Sequence, residues 1–402
     1  MNKYKKILDN GLCIGCGLCS AIDPSCRMAL KKDGFYHPVG LTSKENQSVI
    51  ERICPAINVK NEYSGKKTIW GNIRFVANAW AINKEIRHKS SSGGVTTALC
   101  LFLLDTKKVD AILQVKSNEG DFLHNSLHVS RNHDDVLKCN ASRYAPAAIF
   151  DCITDILNNS NETFAFVGKP CDIVGIKNYI KEFPQFKCRI KYFFAIFCAG
   201  MPSYNASIEA ISRFNNKSQP VDLKYRGDGW PGYFTVKYEN GSMDKMTYNE
   251  SWGKILGKRL GFRCKICPDG IGLGADIASG DAWNTKNGYP DFAEAEGKNF
   301  CFVRTNVGET LFNEAVAAGF IKKEHVDIDE IKYMQAYQYD RRQYVGWRIV
   351  AVQLVTKGLL NFKGLGLKLL SINARPTRIV KEFLGTIRRL FKVKRQISTD
   401  LE

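Results

Sequence analysis

Thr163-Phe164-Ala165-Phe166-Val167-Gly168-Lys169-Pro170-Cys171-Asp172 decides the fold. Its apolar half reads as a buried strand over 163–167, and the turn through Lys169 and Pro170 leads into a helical run over 173–179. The same alternation is read at 74–82 before a helix over 95–104, at 110–115, at 188–197, and at 301–304 before a helix over 309–318. Strands alternating with helices predict an α/β unit. A hairpin interrupts it, with 233–238 returning through Asn240-Gly241 to Met246 and Tyr248.

In this frame Cys171 and Cys198 both follow strands, at the edge where open α/β sheets bind ligands. Cys264-Lys265-Ile266-Cys267-Pro268 adds a C-x2-C pair. Cys171, Cys198, Cys264 and Cys267 together predict a 4Fe-4S cluster, although the pair alone equally fits a dithiol redox centre or half a zinc site. Cys100, Cys139, Cys152, Cys188 and Cys301 stand in apolar or helical contexts and read as small hydrophobes.

Nearer the N-terminus, Cys13-Ile14-Gly15-Cys16-Gly17-Leu18-Cys19 has the spacing that wraps three thiolates around one corner of an iron–sulfur cluster. A two-cluster ferredoxin would continue to Cys-Pro, whereas Ser20-Ala21-Ile22 runs here into Asp23-Pro24, so one cluster is expected. Cys54-Pro55 supplies the fourth ligand, and Cys26, with no proline after it, reads as a free thiol. Zinc ribbons use two separated C-x2-C pairs, which this run does not.

Composition narrows the class. The chain has 402 residues, 44% hydrophobic and 24% charged, enough for two or three globular domains. No stretch reaches the ~18 apolar residues of a spanning helix, and no signal peptide is read, which predicts a cytoplasmic protein. Fourteen cysteines in that compartment imply metal ligation or redox chemistry. The net charge of +18 raises nucleic acid as a partner, but much of the excess lies near the C-terminus, so none is expected. There Arg378, Lys381, Arg388, Lys392 and Arg395 surround Val380, Phe383, Leu384 and Phe391 in a basic amphipathic helix. Such a helix fits an anionic membrane surface, an acidic partner, or ordinary packing.

Ser90-Ser91-Ser92-Gly93-Gly94-Val95-Thr96-Thr97 opens a helix and suits a phosphate, because small residues let backbone N–H groups approach an anion. A serine N-cap with a glycine turn gives the same pattern. Paired clusters call for a converter between one- and two-electron chemistry, and the phosphates of FAD, or less readily FMN, would fit this loop. Asp276 and Asp281 flank a Ser-Gly turn and could contact flavin or substrate or cap the turn. Lys169, Arg143 and Tyr144 could supply positive charge or a proton. The six histidines form no ligand group.

Taken in order, Ser91-Ser92-Gly93-Gly94-Val95, Gly168-Lys169-Pro170-Cys171-Asp172, Phe197-Cys198-Ala199-Gly200, the Cys264–Asp269 segment and Ala275-Asp276-Ile277-Ala278-Ser279-Gly280-Asp281-Ala282-Trp283 resemble the coenzyme F(420) hydrogenase/dehydrogenase beta-subunit family over roughly 10–320. The resemblance implies FAD, iron–sulfur clusters and electron transfer between a one-electron carrier and a two-electron acceptor. Within the family the chain looks most like bacterial members associated with polysaccharide synthesis. Lys169 departs from the threonine common before Pro-Cys, and many bacterial relatives look built for two clusters in the N-terminal module.

The expected architecture is a ferredoxin-type module over 1–62, with a polar linker over 58–67. A flavin and 4Fe-4S α/β domain follows over 63–345, then a basic C-terminal region over 346–402. The expected function is electron transfer from ferredoxin or a similar donor, through two clusters and FAD, to an unidentified small-molecule or lipid-linked glycan acceptor. The C-terminal helix would contact the inner face of the cytoplasmic membrane. The competing readings are a non-catalytic electron-transfer subunit and a zinc-stapled basic binding protein.

Overall fold

The computed structural model describes residues 3–40, 42–61, 68–371 and 374–399. Its main sheet has eight strands: β1 Phe75–Ala81, β2 Ala111–Asn118, β3 Asp121–Ser130, β4 Phe164–Gly168, β5 Ile190–Ile196, β6 Ile277–Asp281, β7 Asn299–Val303 and β8 Ile321–His325, in the order β8-β1-β7-β6-β5-β4-β2-β3. The centre, β6-β5-β4-β2, is parallel. β3 closes one side antiparallel, and β7, β1 and β8 close the other. The fold is therefore mixed α/β, as the alternation predicts.

Helices cover both faces. α1 Val95–Asp105 and α3 Asn306–Ala317 bury Leu99, Leu103, Leu311 and Phe312 on one face, and α2 Pro170–Glu182 buries Ile173, Ile176 and Tyr179 on the other. This explains the unbroken apolar composition of β4 and of residues 300–303 in β7, all of them buried, since a strand covered on both faces has no solvent side to alternate towards.

β6 corrects the reading of Asp276 and Asp281 around a Ser-Gly turn. Ile277-Ala278-Ser279-Gly280 is a central strand, its small side chains leaving room for the Phe300 ring above Gly280. β3 and β8 also escaped the periodicity, because both are partly exposed edge elements with polar residues throughout. Cys152 and Cys188 are exposed rather than buried, since each stands in a turn leading into the next element.

The linker reading fails at its start. Asn58–Lys60 is a strand paired in parallel with Asn361–Lys363, and Val59 is buried, because the C-terminal part of the chain returns to cover the cysteine module. Residues 62–67, and with them the expected 62/63 boundary, lie outside the described residues. The expected 345/346 boundary falls inside an unbroken helix, α4 Ala336–Thr356. α4 and the final helix, α5 Pro376–Thr399, share a core with the module: Ile7, Leu12 and Ile57 meet Val345, Ile349 and Leu390.

Candidate iron–sulfur and flavin site

Cys13, Cys16, Cys19 and Cys54 all line one small cavity of about 20 Å³, closed by Ile7, Leu18, Met28 and Ile50. The chain reaches this geometry through local backbone chemistry. Gly17 is left-handed (φ +92°) and precedes the short helix Leu18–Ile22, and a Cβ there would stand 2.6 Å from the Asp151 nitrogen. Cys54 ends the helix Lys44–Ile53. Asp23, at the position of the missing cysteine, accepts hydrogen bonds from Ser25 N (3.0 Å), Ser43 N (3.2 Å) and Asn46 Nδ2 (2.9 Å). It thus anchors the N-terminus of the helix that delivers Cys54. Hydrogen bonds from Ser25 and Asn46 hold its carboxyl down at about 2. Cys26 is buried nearby without lining the cavity.

Cys171, Cys198, Cys264 and Cys267 line a second cavity of about 540 Å³. Cys171 sits in the first turn of α2 and Cys198 just past β5, both at the carboxyl edge of the parallel strands. The short helix Phe262–Lys265 carries Cys264. Backbone N–H groups point at sulfur in both cages: Gly15 N to Cys13 Sγ and Met201 N to Cys264 Sγ, each 3.4 Å. Such bonds favour thiolate over thiol and tune a bound cluster.

Burial pushes the Cys13 and Cys198 thiols up to about 12, and it raises those of Cys16, Cys19 and Cys171 well above their ordinary value. Without metal these five thiols are held protonated, and metal binding to them would release protons. Among the described residues no three His, Cys, Asp or Glu side chains converge as they would on a single metal ion. A four-iron cube instead spreads its thiolates around a volume.

Buried cations support an anionic occupant. Arg341, only 2% exposed, donates to the Cys198 carbonyl (3.1 Å) and the Cys264 carbonyl, its Nε has no partner, and no carboxylate pairs with it among the described residues. Burial acts to lower its pKa, but Tyr337 and then the Cys267, Cys198 and Cys264 sulfurs outweigh it. Arg263, 4% exposed, is bonded to the carbonyls of Pro55 and Ala56, next to Cys54, and adjoins Cys264 in sequence, so its charge acts on both thiols. An unpaired buried charge is costly, and an anionic group held by the four cysteines would supply the missing counter-charge.

The third cavity, about 270 Å³, is lined by Ser91, Ser92, Gly94, Val95 and Thr96, and by Arg143, Tyr144, Lys169 and Asp281. Gly93 lies beneath them, where a Cβ would stand 2.8 Å from the Ala79 oxygen and Asn299 nitrogen. The α1 N-terminus thus faces an open basin that suits an anion. Arg143 is committed to Asn125, Leu223 and Phe122, so it shapes the wall. Lys169 Nζ meets Asp172 Oδ2 at 2.6 Å and borders both the second and third cavities. Its own burial would lower its pKa, but Asp172 prevails and keeps it protonated.

Asp281 is gripped by both Arg226 guanidinium nitrogens at 3.0 Å and by Trp230 Nε1 at 2.9 Å. Asp276 is not brought to the cavity: it accepts from Phe193 N (2.8 Å) and Thr305 Oγ1 (2.6 Å), joining β5 to the start of α3. Arg226, Arg341, Tyr248 and Trp252 also belong to these walls, and of them only Arg226 carried a sequence signal, the glycine-rich run Gly227-Asp228-Gly229 beside it.

Comparison with known proteins places the fold and the family of the chain. Residues 76–154 match the family model described as the N-terminal part of the coenzyme F420 hydrogenase/dehydrogenase beta subunit, and residues 161–329 match the model for the C terminus of the same protein. A coenzyme F420-dependent sulfite reductase of Methanocaldococcus jannaschii is 24% identical over 358 residues, 84% of this chain and 51% of that protein, so the chain spans about half its length. The coenzyme F420 hydrogenase subunit beta of Methanococcus voltae is 25% identical over 260 residues, 64% of this chain and 86% of that protein. A chain of the F420-reducing [NiFe] hydrogenase complex from Methanosarcina barkeri shares the fold, with a TM-score of 0.53, 18% identity and coverage of 71% of this chain and 96% of that one.

Proposed function

The chain belongs to the coenzyme F420 hydrogenase/dehydrogenase beta-subunit family, and on that premise we propose that it is an oxidoreductase subunit with two 4Fe-4S clusters and FAD. Cys13, Cys16, Cys19 and Cys54 hold the first cluster, and Cys171, Cys198, Cys264 and Cys267 the second. The observation that carries this reading is the sharing of walls. Cys13 and Cys16 line both cysteine cavities, while Lys169, Cys198, Gly200 and Met201 line both the second cavity and the serine-lined basin. When bound, the clusters supply one-electron transfer and the flavin its exchange with two-electron chemistry.

The residues' tasks follow from their positions. The apolar lining of the first cage excludes water, Arg341 and Arg263 offset thiolate charge, and the Ser91–Thr96 loop receives phosphate at the α1 N-terminus. Lys169, kept protonated at the shared wall, supplies positive charge beside the basin. FAD is preferred to FMN because Asn140 and Ala141 wall both the basin and a neighbouring cavity of about 550 Å³ that also has Lys89, Lys138 and Lys224 at its walls, room that an adenylate would use.

A ferredoxin-like protein is the proposed donor. The acceptor separates two readings, a polysaccharide precursor or the coenzyme F420 of the relatives' names. Because several relatives are named as beta subunits, work within a larger complex is favoured over a free-standing enzyme. Anaerobically purified protein is expected to be brown, with about eight iron and eight sulfide per chain and FAD released on denaturation. Colourless protein holding zinc and no flavin would overturn the proposal. Steady-state reduction of each candidate acceptor by the isolated chain then separates a complete reductase from an electron-transfer subunit.

A further inference from the structure

α5 carries a surface that the electron path does not use. Its inner side is packed: Thr386 and Leu390 are fully buried, and Glu382, the only carboxylate within 376–399, turns inward to Arg348 at 2.9 Å. Its outer side exposes Val380, Leu384 and Phe391 by 57, 57 and 50%. At 100° per residue these three fall within an arc of about 40°. Lys381, Arg388 and Lys392 occupy the adjoining sector, all exposed and in no ion pair among the described residues. The neighbouring α4 exposes Val350 and Leu354 as well.

The pattern has two demands, an apolar phase for the stripe and negative charge beside it. An acidic protein would meet both only with an apolar groove cut to this stripe. An anionic bilayer meets both, with aliphatic and aromatic side chains at the acyl boundary and lysine and arginine heads among the lipid phosphates. No helix among the described residues is long and apolar enough to cross a membrane, so the contact is one of lying on the surface. We propose that α5 is a peripheral docking helix for anionic lipid. The geometry adds a consequence, because Arg389, Lys392 and Val393 of this helix also wall the second cysteine cavity. Docking would bring that cavity close to the bilayer surface.

The test is flotation of the full-length purified protein with phosphatidylcholine vesicles, with and without phosphatidylglycerol. Binding is expected to be about tenfold or more tighter to the anionic vesicles and to weaken with added salt. Leu384→Glu with Phe391→Glu should abolish it, and Lys381→Gln with Arg388→Gln should weaken it about tenfold or more. Unchanged iron content and circular dichroism would show that these exposed substitutions leave the fold intact. As an independent readout, Phe391→Trp should be quenched by brominated lipid in anionic vesicles. Equal affinity for neutral and anionic vesicles, absence of binding by the wild type, or wild-type binding by either multiple variant would overturn the proposal. So would loss of binding to an acidic protein in those variants when the wild type never floats with lipid.

Discussion

The first cysteine cage takes three of its four cysteines from seven consecutive residues, encloses about 20 Å³ and is closed by aliphatic side chains. The second gathers its cysteines from three distant segments around about 540 Å³ and carries Lys169 and Arg341 in its walls. A local loop needs only glycines of the right handedness to bring thiols together. An assembled cage needs the sheet, because Cys171 and Cys198 meet only where β4 and β5 end side by side. On the proposed function, the added cations would make the second cage the better host for an extra electron, so electrons entering at the first cage would run towards the second and the basin beyond it.

Substituting ligands should break this comparison most sharply. Cys198→Ser or Cys264→Ser should remove about half of the bound iron, and Cys54→Ser the other half, as read by iron analysis and electron paramagnetic resonance of the separated clusters. Cys26→Ser should leave the iron content unchanged, so a loss there would make Cys26 the fourth ligand of the first cage.

Arg341→Gln comes next. It should lower the midpoint potential of the second cluster while leaving that of the first unmoved, and Arg341→Lys should restore part of the difference. Equal shifts in both clusters would mean that Arg341 acts through the fold rather than through local charge.

Gly17→Ala should destabilise the first cage by about 1–2 kcal/mol through its left-handed backbone, with a further loss from the close approach to Asp151, measured by denaturant unfolding of anaerobic protein. The smallest effect belongs to Asp23. Its folded carboxyl is held at about 2, below the ordinary value of about 3.9, so its contribution to stability is complete above the ordinary range and is lost as pH falls through about 2. Asp23→Asn should remove that acid-side dependence in metal-free protein, and unfolding followed from pH 5 to pH 2 would detect it.

The same contrast explains what could be read from sequence. Cys13, Cys16 and Cys19 announce themselves by spacing, and β4 with its Pro170-Cys171 turn announces the α/β order, because both signals are local. Arg341 gave no signal, since nothing in Asp340-Arg341-Arg342 says that a helix 21 residues long will carry one guanidinium to the Cys198 and Cys264 carbonyls. Asp276 misled for the complementary reason. Its neighbours Ser279 and Gly280 look like a turn in isolation, and only burial between β5 and β7 makes them a strand. The return of Asn361–Lys363 to Asn58–Lys60 is likewise a long-range pairing that local composition, polar and linker-like, conceals.

The central claim is that two clusters sit in cages sharing a wall. Electron paramagnetic resonance of the fully reduced, anaerobically purified protein tests it most directly. Two reduced 4Fe-4S clusters this close should broaden and split one another's signals, and the splitting should vanish when Cys198→Ser removes one of them. A single unsplit signal from the wild type, with about four iron per chain, would contradict the account.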